Sequence, residues 1–254
     1  MITSSSNGQM KQLVKLQKYA KTRKETGTFV VEGLRIVQEV PKEQLQKVYV
    51  TEEFFQKNQE MLQGIDYELV SENVLKEVSD TKTPQGILAV VKKKEYSLEQ
   101  VSKEENLCFL VLENLQDPGN VGTLIRTAEG AGISAVLLSQ DTVDLYNPKV
   151  IRSTMGSIFR VPTFILPMEE IFTFLEKQKV VSFAAHLLGN NFYQEDYKQP
   201  CAFFIGNEGN GLTDDTTNRV QKKIKIPMQG QVESLNAAIA GTVLMYEMLR
   251  QRMN

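Results

Sequence analysis

Three short stretches of this chain gather polar residues where apolar runs end, and their residue types suit the holding of a small molecule. ENLQDPGNVGTLIRTAEGAG brings Asn120 and Arg126 after the run LCFLVL, and GNEGNGL sets Glu208 among glycines after CAFFI. IPMQGQVESLNAAIAG brings Glu233, Ser234 and Asn236 between the run KIKIP and an apolar helical segment. Glycine lets backbone N–H and C=O groups approach a ligand closely, while Ser, Asn and Glu supply a few directed hydrogen bonds in an otherwise apolar cleft. Each stretch also has a plain explanation. Asn120 or Ser234 can cap a helix, Arg126 can be a solvated helix residue, and glycines 206, 209 and 211 can serve a tight turn. Their GxxGxG spacing is not the GxGxxG of dinucleotide folds. A cap explains one polar residue at the last junction but not the acid and amide beside it, whereas one shared ligand site explains all three junctions.

The elements that must position these residues are legible as runs and periods. LCFLVL, AVLLS, VVSFAAH, CAFFIG and KIKIP are continuous apolar runs of strand length, mostly separated by helical stretches, which predicts a parallel sheet with helices on both faces. In such sheets ligands bind beyond the carboxyl ends of the strands. The three junctions are expected to meet at the ends of neighbouring strands. Asp117 and Pro118 are placed to start a helix, and Gly130 and Gly132 to stop it. Upstream, the runs FVVEG, KVYV and GILAVV alternate with helical LRIVQEV and SENVLKEVS, which describes a small mixed domain. The charged stretch KKKEYSLEQVSKEEN divides the two, giving expected domains at 1–91 and 107–254 with a linker at 92–106.

Composition narrows the class. The chain has 254 residues, 41% of them hydrophobic, and a net charge of −2, which excludes a globally basic nucleic-acid coat but not a local patch. The first 24 residues hold Lys11, Lys15, Lys18, Lys21, Arg23 and Lys24 and no acid, with Leu13, Leu16 and Ala20 at helical spacing. That describes a helix with a basic outer face, either solvated or phosphate-binding. Neither a secretory h-region nor a membrane-length apolar run is present, so a cytoplasmic protein without membrane association is expected. Cys108 and Cys201 lie far apart in sequence and His186 is the sole histidine, so neither a disulfide framework nor a metal centre is expected. His186 is given no role.

The segments NVGTLIRTAEGAG, IGNEGNGL and IPMQGQVESLNAAIAG resemble, in order and spacing, the signatures of the SpoU (TrmH-like) RNA ribose methyltransferases of the SPOUT superfamily, and IRSTMGSIFRVP is similar to the family too. TFVVEG and TPQGILAVV resemble the small RNA-binding domain that precedes the catalytic domain in many members. The fold so implied is α/β: a C-terminal parallel-sheet SPOUT domain with a trefoil knot, preceded by a small α+β RNA-binding domain. The resemblance further implies S-adenosylmethionine as methyl donor, a ribose 2′-hydroxyl of structured RNA as acceptor, and a homodimer. Ribosomal RNA is the favoured substrate and transfer RNA the alternative. By the same resemblance Gly206, Ile226 and Leu235, with Asn207 and Met228, correspond to cofactor-binding positions. Asn120, Arg126, Glu208, Ser234 and Asn236 correspond to the active site, and Lys11, Lys15, Lys18 and Arg23 are the candidate RNA contacts. Tyr146, Asn147 and Lys149, which precede IRSTMGSIFRVP, are either RNA contacts or ordinary loop residues. A non-catalytic RNA-binding protein of the same fold and a base-nitrogen methyltransferase remain open.

Methyl transfer to oxygen is an in-line displacement that needs two aligned substrates and stabilisation of charge developing on the oxygen. Arg126 is the expected donor to that oxygen, because a guanidinium offers several N–H groups and holds its proton too tightly to act as a base. Asn120, Ser234 and Asn236 are expected to position ribose and donor, with Glu208 orienting Arg126 or accepting the proton.

Overall fold

The runs LCFLVL, AVLLS and CAFFIG form strands buried on both faces, as a parallel sheet covered by helices requires. The computed structural model describes residues 1–103 and 106–253; Glu104 and Glu105 of the expected linker, and Asn254 at the end of the expected second domain, lie outside the described residues. The chain forms two compact units, residues 1–95 with 146–159, and residues 96–145 with 160–254. The segment 146–159, read from sequence within the second block, therefore clusters with the first unit.

The first unit contains helices α1 (Gly8–Lys18), α2 (Ala20–Thr26), α3 (Leu34–Gln38), α4 (Glu52–Lys57) and α5 (Glu72–Val78), and strands β1 (Thr28–Glu32), β2 (Leu45–Val50), β3 (Tyr67–Leu69) and β4 (Ile87–Lys92). Its sheet runs β1-β4-β2-β3, with β4 antiparallel to both neighbours and β2 parallel to β3. Met10, Leu13 and Leu16 of α1 pack with Val74, Leu75 and Val78 of α5 against Val30, Tyr49 and Leu88 of the sheet. The basic segment is thus two helices, broken at Tyr19, whose extended backbone ends α1. Lys11, Lys15 and Lys18 are exposed, whereas Ala20 faces solvent rather than the core. Arg23 departs from its expected role. It is buried, and its Nη1 donates to the carbonyls of Leu16 and Gln17 at 2.5 and 2.8 Å, satisfying the end of α1 instead of meeting RNA. Tyr146 packs against Phe29 with the rings tilted by 43°, and Asn147 caps the helix α8 (Pro148–Thr154).

In the second unit, α6 (Leu98–Val101) precedes β5 (Cys108–Leu112), α7 (Pro118–Gly130) and β6 (Ala135–Leu138). After the segment lent to the first unit come β7 (Thr163–Ile165), α9 (Met168–Lys177), β8 (Val181–Asn191), β9 (Cys201–Ile205), α10 (Asp214–Arg219), β10 (Lys222–Lys225) and α11 (Ala237–Met253). The five expected strands are all present, joined by β7, and the six are parallel in the order β10-β8-β9-β5-β6-β7. Ile171, Phe172 and Leu175 of α9 pack on one face with Phe109, Val111 and Phe204. Residue 205 faces the other side, where α7 and α11 meet: a Cβ on Gly241 would lie 2.4 Å from Leu124 Cδ2 and 3.6 Å from Ile205 Cγ1. Cys108 and Cys201, distant in sequence, are partners in register on β5 and β9, their free thiols 3.5 Å apart and buried. Among the described residues, no helix is long and apolar enough to cross a membrane.

The sheet order corrects one expectation. β9 and β5 are neighbours, but β8 stands between β9 and β10, so the ends of three adjacent strands do not form the site. The segment 226–236 that follows β10 has to span that strand to reach the others.

Candidate active site

Helix α7 begins where the sequence places it. Asp117 Oδ1 accepts the N–H of Asn120 at 2.9 Å, and Pro118 occupies the first helical position, where its missing N–H costs nothing. Capping by Asp117 leaves the Asn120 side chain free for other partners. Its Nδ2 donates to Glu208 Oε1 at 3.0 Å, and its Oδ1 accepts from Asn236 Nδ2 at 3.0 Å. Asn236 Oδ1 in turn accepts the N–H groups of Ala238 and Ile239 at 2.9 and 3.3 Å. Because that oxygen must face two backbone donors, its NH2 must face Asn120, and Asn120's NH2 must then face Glu208. One chain of hydrogen bonds therefore joins the residues that follow β5, β9 and β10.

Glu208 also accepts the backbone N–H groups of Gln116 and Asp117, both at 3.1 Å. Burial opposes its charge, but the hydrogen bonds from Asn120 and from backbone N–H groups outweigh it and hold the carboxyl below the usual carboxylate range. A carboxylate so stabilised is a poor proton acceptor. It makes no bond to Arg126, which is exposed two turns into α7 and has no hydrogen-bond or ion-pair partner among the described residues. The expectation that Glu208 orients Arg126 is not met within this chain; Glu208 anchors the start of α7.

The turn after β9 is built for close backbone approach. Asn207 and Gly211 exchange two backbone hydrogen bonds at 2.9 Å, while Asn207 Oδ1 accepts from Gly209 and Asn210 and its Nδ2 donates to the Asn114 carbonyl at 2.9 Å. Of the three glycines only Gly211 has a positive φ. Gly206 is required for a different reason: a Cβ there would meet the backbone of Gly211 and Leu212 at 2.2 Å.

Ile226, Met228 and Leu235 are half-buried, and their backbone N–H and C=O groups enter no backbone hydrogen bond among the described residues. Half-buried apolar side chains with spare backbone donors and acceptors fit a flat, polar-edged adenosine. Ser234 is exposed and outside the network, and the cap of α11 is Asn236 rather than Ser234. His186 Nδ1 accepts from Leu188 N–H at 3.1 Å, a local contact within β8.

Two supporting residues carry no sequence signal beyond their position at a strand end. Glu113 is buried, yet accepts from Thr213 N–H, Thr213 Oγ1 and Thr216 Oγ1 at 2.9, 2.9 and 2.6 Å, which fixes the start of α10 to the end of β5. Asn114, at φ 57°, exchanges bonds with Ser139 and offers its carbonyl to Asn207 and Gln116.

Glu208→Gln should lower turnover about tenfold, since an amide cannot accept from all three donors and the exposed site screens part of the loss. A carboxyl whose folded pKa is depressed gives its support fully above the unfolded value, near 4.3, and loses it only in stronger acid. The ratio of variant to wild-type rates should therefore be constant from about pH 5.5 to 9. A ratio that changes across that window would make Glu208 a titrating participant.

The SpoU rRNA Methylase family matches residues 107–246, and the MRM3-like substrate binding domain matches residues 7–89. The chain is 33% identical to the Bacillus subtilis 23S rRNA (guanosine(2553)-2′-O)-methyltransferase RlmP, over 97% of this chain and 98% of that one. It superposes on the SpoU methyltransferase AviRb from Streptomyces viridochromogenes, in complex with the cofactor AdoMet, with TM-score 0.88 at 26% identity, covering 98% and 99% of the two chains. An AdoMet-bound rRNA methyltransferase from Sinorhizobium meliloti gives TM-score 0.87 at 28% identity, covering 98% and 97%. With Glu208, Asn120 and Asn236 of its three signature segments joined in one hydrogen-bonded chain, and matched over nearly its full length, this protein belongs to the SpoU rRNA methylase family.

Proposed function

We propose that this chain is an S-adenosylmethionine-dependent methyltransferase acting on a ribose 2′-hydroxyl of RNA, with ribosomal RNA as its substrate. The observation that carries the reading is the Glu208–Asn120–Asn236 chain, which ties the three polar junctions into one site beside the spare backbone groups of Ile226, Met228 and Leu235. The relatives' names agree with it. When bound, the donor supplies a methyl group activated by a sulfonium. Gly206, Asn207, Ile226, Met228 and Leu235 would hold its adenosine part. Asn120 and Asn236 are locked by their mutual bond and shape the acceptor side, with Ser234 free to meet the ribose. Arg126, its guanidinium uncommitted, donates to the 2′-oxygen as negative charge develops there. Glu208 acts by position only, and the 2′-hydroxyl proton passes to solvent.

The active form is a homodimer, and the enzyme works in the cytoplasm on a trefoil-knotted second domain. Helix α11 supports the dimer: its residues 237–249 are mostly apolar, and Ile239 and Tyr246 are 53% and 48% exposed on it. Arg126 lies on the exposed side of α7, the helix packed against α11. A neighbouring subunit would therefore complete its surroundings.

Mapping 2′-O-methyl groups in total RNA from cells with and without the gene tests the function. Loss of one ribosomal RNA site is expected. An unchanged map, or a missing base methyl instead, overturns it. For Lys11, Lys15 and Lys18, deletion of the first helix would remove Met10, Leu13 and Leu16 from the core, so substitution is the clean test. Replacing the three by alanine should flatten the salt dependence of RNA binding by roughly two units, and an unchanged slope would make them a solvated face.

A further inference from the structure

A cavity of about 520 Å³ opens in the first unit, where β2 and β3 end and the segment 80–86 enters β4. The size lies within the range of roughly 300–1,000 Å³ found for small-molecule sites. Its apolar wall is Phe54, Leu75 and Pro84. Asn58, also lining it, commits Nδ2 to the Phe54 carbonyl at 2.9 Å and keeps its Oδ1 available. Three lysines stand at the wall. Lys57 is paired with Glu53, but Lys76 and Lys82 have no carboxylate partner among the described residues, and Glu72 is the one other acid lining the space.

The walls are fixed in advance. Glu32 accepts from the Asp80 N–H and the Thr81 hydroxyl, and Gln85 Oε1 accepts the Leu34 N–H at 2.9 Å. Thr51 N–H donates to the Gly86 carbonyl at 3.0 Å. Gly86, at φ +79°, lies so close to α4 that a Cβ would meet Thr51 Oγ1 at 2.8 Å. Such a segment loses little freedom when a ligand enters.

We propose that this cavity takes one unstacked nucleotide of the substrate RNA, its base against Phe54, Leu75 and Pro84 and its flanking phosphates at Lys76 and Lys82. A phosphate alone needs no apolar wall, and an apolar ligand needs no pair of uncommitted lysines; a nucleotide uses both. Sequence-tolerant capture of splayed-out bases on apolar surfaces beside cations is the general way single-stranded RNA is held. The site is separate from the methyl-transfer residues, and its assignment rests on the RNA methyltransferase reading.

The test uses the full chain and, as probe, a transcript of the large-subunit ribosomal RNA containing 4-thiouridine. Under long-wave ultraviolet light, cross-links are expected in peptides carrying Phe54 or Pro84. The variant Lys76→Ala/Lys82→Ala should bind the transcript about tenfold more weakly, with a salt slope shallower by about 1.5 units, and bind S-adenosylmethionine as wild type does. Cross-links confined to residues 8–24, or a variant with wild-type affinity and slope, overturn the proposal while methylation by the wild type keeps the enzyme reading standing. Inorganic phosphate that displaces the RNA as effectively as a mononucleotide makes the cavity a phosphate site and also overturns it. A wild type that neither binds the donor nor retains the transcript overturns both.

Discussion

Replacing Arg126 by alanine should slow methyl transfer by roughly a hundredfold or more while donor affinity stays within about twofold of wild type. The side chain is exposed and uncommitted among the described residues, so its removal opens no cavity, strands no buried partner and leaves the Glu208–Asn120–Asn236 chain intact. On the proposed mechanism, what disappears is a cation with several donors at the point where charge builds on the acceptor oxygen. Single-turnover rates with labelled donor isolate that step, and calorimetry isolates donor binding. Arg126→Lys should recover part of the rate, because it restores the charge without the planar fork of donors. Near-normal turnover in the alanine variant would take Arg126 out of the mechanism and leave the reaction to alignment alone.

The parts of this site that could be read in the sequence are those whose signal is local. Five strands of the second unit are visible because β5, β6 and β9 are buried on both faces and so are apolar throughout, β8 keeps that character over its first residues, and β10 sets the buried Ile224 between lysines. β7 has three residues at the sheet edge, and β3 also has three, so neither carries a pattern long enough to recognise. Strand order is invisible for a different reason: nothing in an apolar run says which run it pairs with, and β8 lies between β9 and β10 without any local sign of it.

The same divide separates the site residues. Asn120, Glu208 and Asn236 were identifiable by type and place, but which of Ser234 and Asn236 caps α11 depends on where the backbone turns helical. The reading of Arg23 as an RNA contact fails because the break at Tyr19 turns its guanidinium back onto the carbonyls of α1. Glu113 had no motif to mark it, since a buried acid is recognisable only once its three donors, about a hundred residues later, are seen around it. Local chemistry announces candidates; only the fold assigns their partners.

Gly206→Ala is expected to weaken donor binding by roughly a hundredfold, about 2.7 kcal/mol, and to abolish methylation with it. The cause is steric rather than torsional, because φ at Gly206 is not in the left-handed region and alanine could adopt it. The added Cβ would sit 2.2 Å from the Gly211 carbonyl carbon and the Leu212 nitrogen, and backbone atoms held by the paired Asn207–Gly211 hydrogen bonds cannot swing aside as a side-chain end can. Relief requires the turn to move as a body, carrying Glu208 off the N–H groups of Gln116 and Asp117 and so loosening the anchor of Asn120. On the proposed assignment, one methyl group thus disturbs the donor's backbone contacts and the acceptor-side asparagines together. Gly209→Ala is the control, since a Cβ there meets only Asn207 Oδ1 at 3.6 Å, an ordinary contact, and should leave binding near wild type. Thermal unfolding distinguishes a displaced turn from a failed fold: β9 ends before the substitution, so a cooperative transition should survive in both variants. Tight donor binding by Gly206→Ala would show that this turn does not hold the adenosine.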